Sequence, residues 1–121
     1  MWYYKQATGE LLHETMLVGI GYSGNGAGKN NPKAEGQPGM GGPIPRGLWH
    51  IQGPPFNTTE DGPFCLRLTP DAATDTFGFA GFAVHGDSAL HPGQGSRGCM
   101  VFARPIRVAI WESGDYDLTV L

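Results

Sequence analysis

Apolar and polar positions alternate along this chain in short bursts, broken repeatedly by glycine and proline. Residues 2–6 are rich in aromatics and read as a strand, residues 8–10 as a turn, and residues 11–19 as a second strand. The chain therefore opens with a predicted β-hairpin. No cap or helical stop frames residues 11–19, which makes a helix the poorer reading there. Residues 48–51 form the next predicted strand, ended by Gly53, Pro54 and Pro55. Residues 65–70 alternate with period two, and residues 79–85 make a strand that finishes on His85. Residues 99–102 begin either a strand or a helix. Residues 105–111 read as a short helix leading into a last strand at 116–121.

Between the first hairpin and the strand at 48–51 lies a long stretch, residues 19–42, rich in Gly, Asn, Lys and Pro. A loop of that length in a compact domain is usually functional or mobile, so a lid or a groove wall is expected. Asn30, Asn31 and Pro32 can start a short helical turn within it. The run from Gly24 to Lys29 has a superficial likeness to a phosphate-binding loop. It lacks the spacing and the terminal Lys-Ser/Thr pair, so that reading is rejected.

Composition narrows the fold and the partners. A chain of 121 residues fits one domain, residues 1–121, with one core. It holds 20 glycines and 10 prolines, which favours turns over long helices and a mainly β fold with many connections. The net charge of -3 and the absence of basic runs argue against a nucleic-acid partner. No run of about 18 apolar residues predicts a membrane span. The first residues do not read as a signal peptide, so a substrate outside the cytoplasm requires another route of delivery. Two cysteines, Cys65 and Cys99, can pair in principle, but two do not make a disulfide framework and a free reactive thiol stays open.

The chemistry concentrates in two short stretches, His85-Gly86-Asp87 and Ser96-Arg97-Gly98-Cys99. His85 and Cys99 are 14 positions apart (99 − 85). A strand ending at His85 and a loop returning to Cys99 can bring the two side chains together. Thiolate is the nucleophilic form, so a cysteine needs a base or a cation beside it, and His85 supplies either. The second ring nitrogen of His85 needs an acceptor that fixes its tautomer; a backbone carbonyl or Asp87 serves. Gly98 allows backbone to approach a substrate and can take positive φ, which turns nearby amides toward an oxyanion. Ser96 can brace that turn through its hydroxyl. Taken singly, such a cysteine is usually a small buried hydrophobe and such a histidine incidental. Taken together they suit acyl transfer.

These residues resemble the active-site signature of the L,D-transpeptidase (YkuD-like) catalytic domain: His-Gly-Asp, a gap, then Ser-x-Gly-Cys and an apolar pair. Residues 42–51, a Pro- and Gly-flanked turn entering a strand, resemble a second segment of that family. The short chain and the glycine-rich loop look closest to the type VI secretion L,D-transpeptidase effectors, toxins that attack the periplasmic wall of rival bacteria. The resemblance covers roughly residues 1–115, and its specific parts are residues 42–51 and 84–101. It implies a mainly β domain of the family's β-sandwich kind, with short helices and long loops, no metal and no cofactor. Cys99 would be the nucleophile and His85 the base. The Gly98 and Cys99 amides would be the oxyanion donors, with Ser96 supporting the loop. Gly86, Asp87 and Arg97 would face the substrate. Arg97 stands where the family often has a second His, and it either contacts a substrate carboxylate or is solvated. Asp87 either orients His85 or stabilises a turn.

The implied reaction is attack on the carbonyl of the diamino acid at stem position three of a peptidoglycan tetrapeptide, with loss of D-Ala and a thioester intermediate. Water then gives carboxypeptidase action, a D-amino acid gives exchange, and another stem gives a crosslink. A toxin is expected to trim or exchange, as a monomer secreted without a signal peptide into the target's periplasm and neutralised by an immunity protein. A non-catalytic peptidoglycan-binding module, a phage-encoded wall-processing protein and a small cysteine protease are the competing readings. The protease would need a third orienting residue that the sequence does not reveal. Among the remaining histidines, His13 and His50 lie in predicted strands and His91 in an exposed loop. His85, His91 and Cys99 lack a clear fourth ligand for zinc. Cys65, among Phe64, Leu66 and Leu68, reads as a buried structural thiol.

Overall fold

A computed structural model describes all 121 residues. The chain is mainly β, as expected from its glycine and proline content. Nine strands form one continuous sheet: β1 (Trp2–Tyr4), β2 (Glu10–His13), β3 (Met16–Ile20), β4 (Tyr22–Ser23), β5 (Gly47–Thr58), β6 (Gly62–Pro70), β7 (Ala83–His85), β8 (Met100–Val101) and β9 (Asp117–Val120). Their spatial order is β3-β2-β1-β9-β5-β6-β7-β8-β4. The last strand lies in the interior of the sheet, parallel to β1 and antiparallel to β5. One helix, α1 (Arg104–Glu112), precedes it.

Three expected strands differ most in extent. Residues 11–19 are two strands, not one, because Glu14 takes φ 53 and reverses the chain between β2 and β3. Pro54 and Pro55 do not end β5. Five residues of β5, from Gln52 to Phe56, stand against three of β6, from Arg67 to Cys65, and this bulge carries the prolines out of the ladder. The strand expected over 79–85 begins only at Ala83, and residues 79–82 instead form a wall beside the site described below. Residues 19–42 hold β4 and two short 3₁₀ turns, Gly26–Gly28 and Pro32–Ala34, the second within the stretch where a helical turn was expected.

The core draws on alternate residues of the central strands: Trp49 and Ile51 from β5, Leu66 and Leu68 from β6, Leu118 and Val120 from β9. Helix α1 adds Ile110, with Ile106 packed at its edge one turn away. Pro105 sits in its first turn, where no N–H is missed. Gly114, at φ 71 just beyond Ser113, ends it. Trp49 donates from Nε1 to the Pro45 carbonyl at 3.0 Å and packs edge-on against Phe82, ring centres 4.9 Å apart. The core thereby supports the wall at 79–82. No helix is long and apolar enough to cross a membrane.

Candidate active site

The pairing of three strands sets the geometry. Val84 of β7 pairs with Leu66 of β6 and Met100 of β8, and all three side chains enter the core. His85, one residue along, projects to the other face. Cys99 immediately precedes Met100 and lies on that same face. Adjacent strands ~4.8 Å apart and a two-residue offset of ~6.6 Å make His85 and Cys99 diagonal neighbours, Cα atoms about 8 Å apart. Both line one cleft of about 780 Å³ together with Glu60, Asp61, Asp87 and Arg97.

His85 is buried, and its Nδ1 lies 2.7 Å from the Gly86 carbonyl. The carbonyl accepts, so Nδ1 carries the hydrogen and Nε2 keeps a lone pair. Of the two acceptors expected from sequence, the backbone carbonyl holds this place. Asp87 is engaged elsewhere: it accepts from the Tyr22 hydroxyl at 2.5 Å and from the amides of Ser88 and Gly93 at 2.8 and 2.9 Å. Those bonds hold its carboxyl below the usual range against the opposing effect of desolvation. Asp87 thus organises the loop at 86–95. Gly86 rests on the Arg107 guanidinium, which a Cβ there would meet at 2.9 Å. Arg107 in turn donates to the carbonyls of Phe102, Phe64 and Pro63 at 2.6, 3.0 and 3.2 Å.

The turn before Cys99 is organised by two buried serines. Ser96 Oγ donates to the Cys99 carbonyl at 2.6 Å and accepts from the amides of Gly24 and Gly98 at 2.9 and 3.1 Å. Ser23 Oγ accepts from the Ile44 amide at 2.8 Å and donates to the Gly98 carbonyl at 3.3 Å. Gly98 lies at φ +118, a conformation that L side chains rarely adopt. Its amide is committed to Ser96 and is therefore not free for an oxyanion. The Cys99 amide has no acceptor in the chain and is the donor left for that task.

Cys99 is half-buried, its thiol 3.6 Å from the Gly81 carbonyl. Burial pushes this thiol up to about 11; the Ala83 amide opposes the rise and the Asp61 carboxylate adds to it. Of the two roles open to His85, base or ion-pair cation, a thiol held protonated by burial favours the base. Asp61, at the tip of the β5–β6 hairpin, lies 3.8 Å from His85 Nε2. That is too long for a hydrogen bond but close enough to stabilise an imidazolium. Asp61 escaped the sequence reading, although Asp61-Gly62 is a hairpin-turn pair and a hairpin tip there was a readable signal.

Cys65 is fully buried on the same face, beside His85 across β6 and β7. Two strands and two residues separate it from Cys99, more than ~10 Å between Cα atoms, beyond the span of a disulfide. Both thiols are free. His13 stacks on Trp2, and His50 lies on β5 near Asp71 and Asp117. His91 is exposed at the cleft rim. Arg97 is exposed, with no ion-pair partner in the chain. Comparison with protein-family models, with curated proteins and with solved structures finds no match.

Proposed function

We propose that this chain is a cysteine-dependent acyl-transfer enzyme of the bacterial cell wall, acting on peptidoglycan tetrapeptide stems as an L,D-carboxypeptidase and exchange transpeptidase. The observation that supports it most is that Cys99, His85 and an unpaired Cys99 amide meet in one open cleft. The likeness of residues 42–51 and 84–101 to L,D-transpeptidases supplies the substrate.

In the proposed reaction, the neutral Cys99 thiol passes its proton to His85 Nε2 as sulfur attacks the carbonyl of the third stem residue. A C–S bond forms, and the carbonyl oxygen becomes an oxyanion held by the Cys99 amide. Asp61 stabilises the imidazolium. The intermediate collapses by breaking the C–N bond to D-Ala, whose amine takes the proton from His85, and a thioester remains on Cys99. Water gives up a proton to His85 and cleaves the thioester, the proton returning to sulfur. A D-amino acid amine in place of water gives exchange. General-base transfer at the moment of attack fits a thiol held protonated by burial.

The biological setting proposed is that of a toxin active in the periplasm of a target bacterium and restrained by an immunity protein. Tetrapeptide muropeptides are the test substrate. Loss of terminal D-Ala with the wild type, absent in Cys99→Ala and His85→Ala, is the expected result. Intact tetrapeptides in all three samples refute the proposal and favour a binding module.

A further inference from the structure

Two cavities meet at Arg97. The cleft with Cys99 and His85 also carries Glu60, Asp61 and Asp87 and is predominantly acidic. The second cavity, about 260 Å³, lies against the glycine-rich wall, and Asn25, Gln37, Phe79 and Phe82 are among the residues that line it. Arg97 is the only charged residue that lines it. The backbone on either side of Arg97 is held by the Ser96 hydroxyl, so the guanidinium is mounted on a fixed turn. Three other cations of the chain are committed: Arg46 to Glu35, Arg107 to three carbonyls, Lys29 to the Gly93 carbonyl. A lone exposed arginine is ordinarily just solvated. Arg97 differs in being the one charge of a concave, aromatic-walled space that opens beside the reactive sulfur.

We infer that this second cavity is a subsite for a small amino acid bearing a free α-carboxylate, and that Arg97 holds that carboxylate. The inference rests on the reading of the chain as a stem-peptide enzyme and deepens it. Guanidinium and carboxylate match as a two-point, charge-assisted pair. The rings of Phe79 and Phe82 give an apolar surface for a methyl side chain. The opposite sign of the two cavities then orients the substrate, carboxylate end toward Arg97 and any cationic side chain toward Glu60 and Asp61. Two ligands share this chemistry: the terminal residue of the stem, which leaves, and a free amino acid that resolves the thioester.

The test is a binding experiment that needs no turnover. Cys99→Ala protein is titrated with a tetrapeptide stem ending in D-Ala, with its C-terminal amide, with free D-alanine and with D-alaninamide. The carboxylate form of at least one pair is expected to bind about tenfold tighter than its amide, and Arg97→Gln in the same background to remove the difference. A preference confined to the stem assigns the cavity to the leaving residue; one confined to the free amino acid assigns it to the acceptor. Equal affinity for carboxylate and amide in both pairs, or a preference that survives Arg97→Gln, overturns the inference. Arg97→Gln is expected to melt with its parent, since the side chain makes no contact that holds the fold. A wild type that binds with this preference but never releases D-Ala removes the enzymatic reading and leaves the subsite standing.

Discussion

Replacing Ser96 by alanine removes one oxygen that serves three backbone groups. Ser96 is fully buried, and its Oγ is the partner of the Gly24 amide, the Gly98 amide and the Cys99 carbonyl. Each buried group left without a partner costs ~1–3 kcal/mol. Taking the low end for all three, since a water molecule can replace part of the lost bonding, gives about 3 kcal/mol. That is a large share of the ~5–15 kcal/mol that holds a typical domain. For a chain of this size it corresponds to a fall in melting temperature of about 12 °C. The assay is thermal unfolding followed by circular dichroism, with Thr59→Ala, an exposed substitution outside any hydrogen bond, expected to change stability by less than ~0.5 kcal/mol. Because the same oxygen fixes the turn that carries Cys99, turnover by folded Ser96→Ala is expected to fall more than about tenfold. A Ser96→Ala protein that melts within about 2 °C of the wild type would refute the assignment of Ser96 as the hub of this turn.

Other expectations are independent of that one. Gly98→Ala meets no steric obstacle nearer than Phe82 Cε1 at 3.5 Å, so its penalty comes from φ +118 alone; a loss of about 1–3 kcal/mol and displaced Cys99 chemistry are expected, checked by melting and by turnover. Asp61→Asn removes a charge that disfavours the Cys99 thiolate, so iodoacetamide is expected to label Cys99 faster than in the wild type at one fixed pH, and slower labelling would contradict the geometry. The raised Cys99 thiol also predicts a pH dependence of stability. The folded state holds the proton to about 11, whereas an unfolded thiol releases it near its ordinary value of ~8.5. This contribution is therefore complete below the unfolded value and lost as pH rises through the folded one; the alkaline loss is expected to be smaller in Cys99→Ala denaturation curves, with the buried Cys65 thiol, also raised, keeping part of it. Tyr22→Phe removes a donor to Asp87 and an acceptor for the Gly95 amide at 2.7 Å, and faster hydrogen exchange across residues 86–95 is the expected readout.

Much of the scaffold was legible because strand periodicity and glycine spacing act locally. The β-rich class, the helix before the last strand and a strand entered at residue 48, one residue inside the observed start of β5, all follow from such signals. The splitting of residues 11–19 was not legible, since Glu14 and Thr15 carry no turn signature and it is the pairing with β1 on one side and β3 on the other that forces the reversal. The continuation of β5 past Pro54 was equally hidden: the prolines are tolerated only because the ladder bulges around them. The bracing role of Ser96 was readable from its place before Gly98. Its three partners were not, because one of them, Gly24, lies 72 residues away. Asp61 and the state of the thiol depend on how a distant hairpin tip meets β7, which local pattern does not encode.

In the proposed reaction the sulfur of Cys99 becomes acylated with help from His85. Intact-protein mass spectrometry after rapid quenching with a tetrapeptide stem measures this directly. An adduct equal to the stem minus D-Ala is expected on Cys99 in the wild type and absent from both Cys99→Ala and His85→Ala. An unmodified wild type under conditions where D-Ala is released, or an adduct that survives Cys99→Ala, would contradict it.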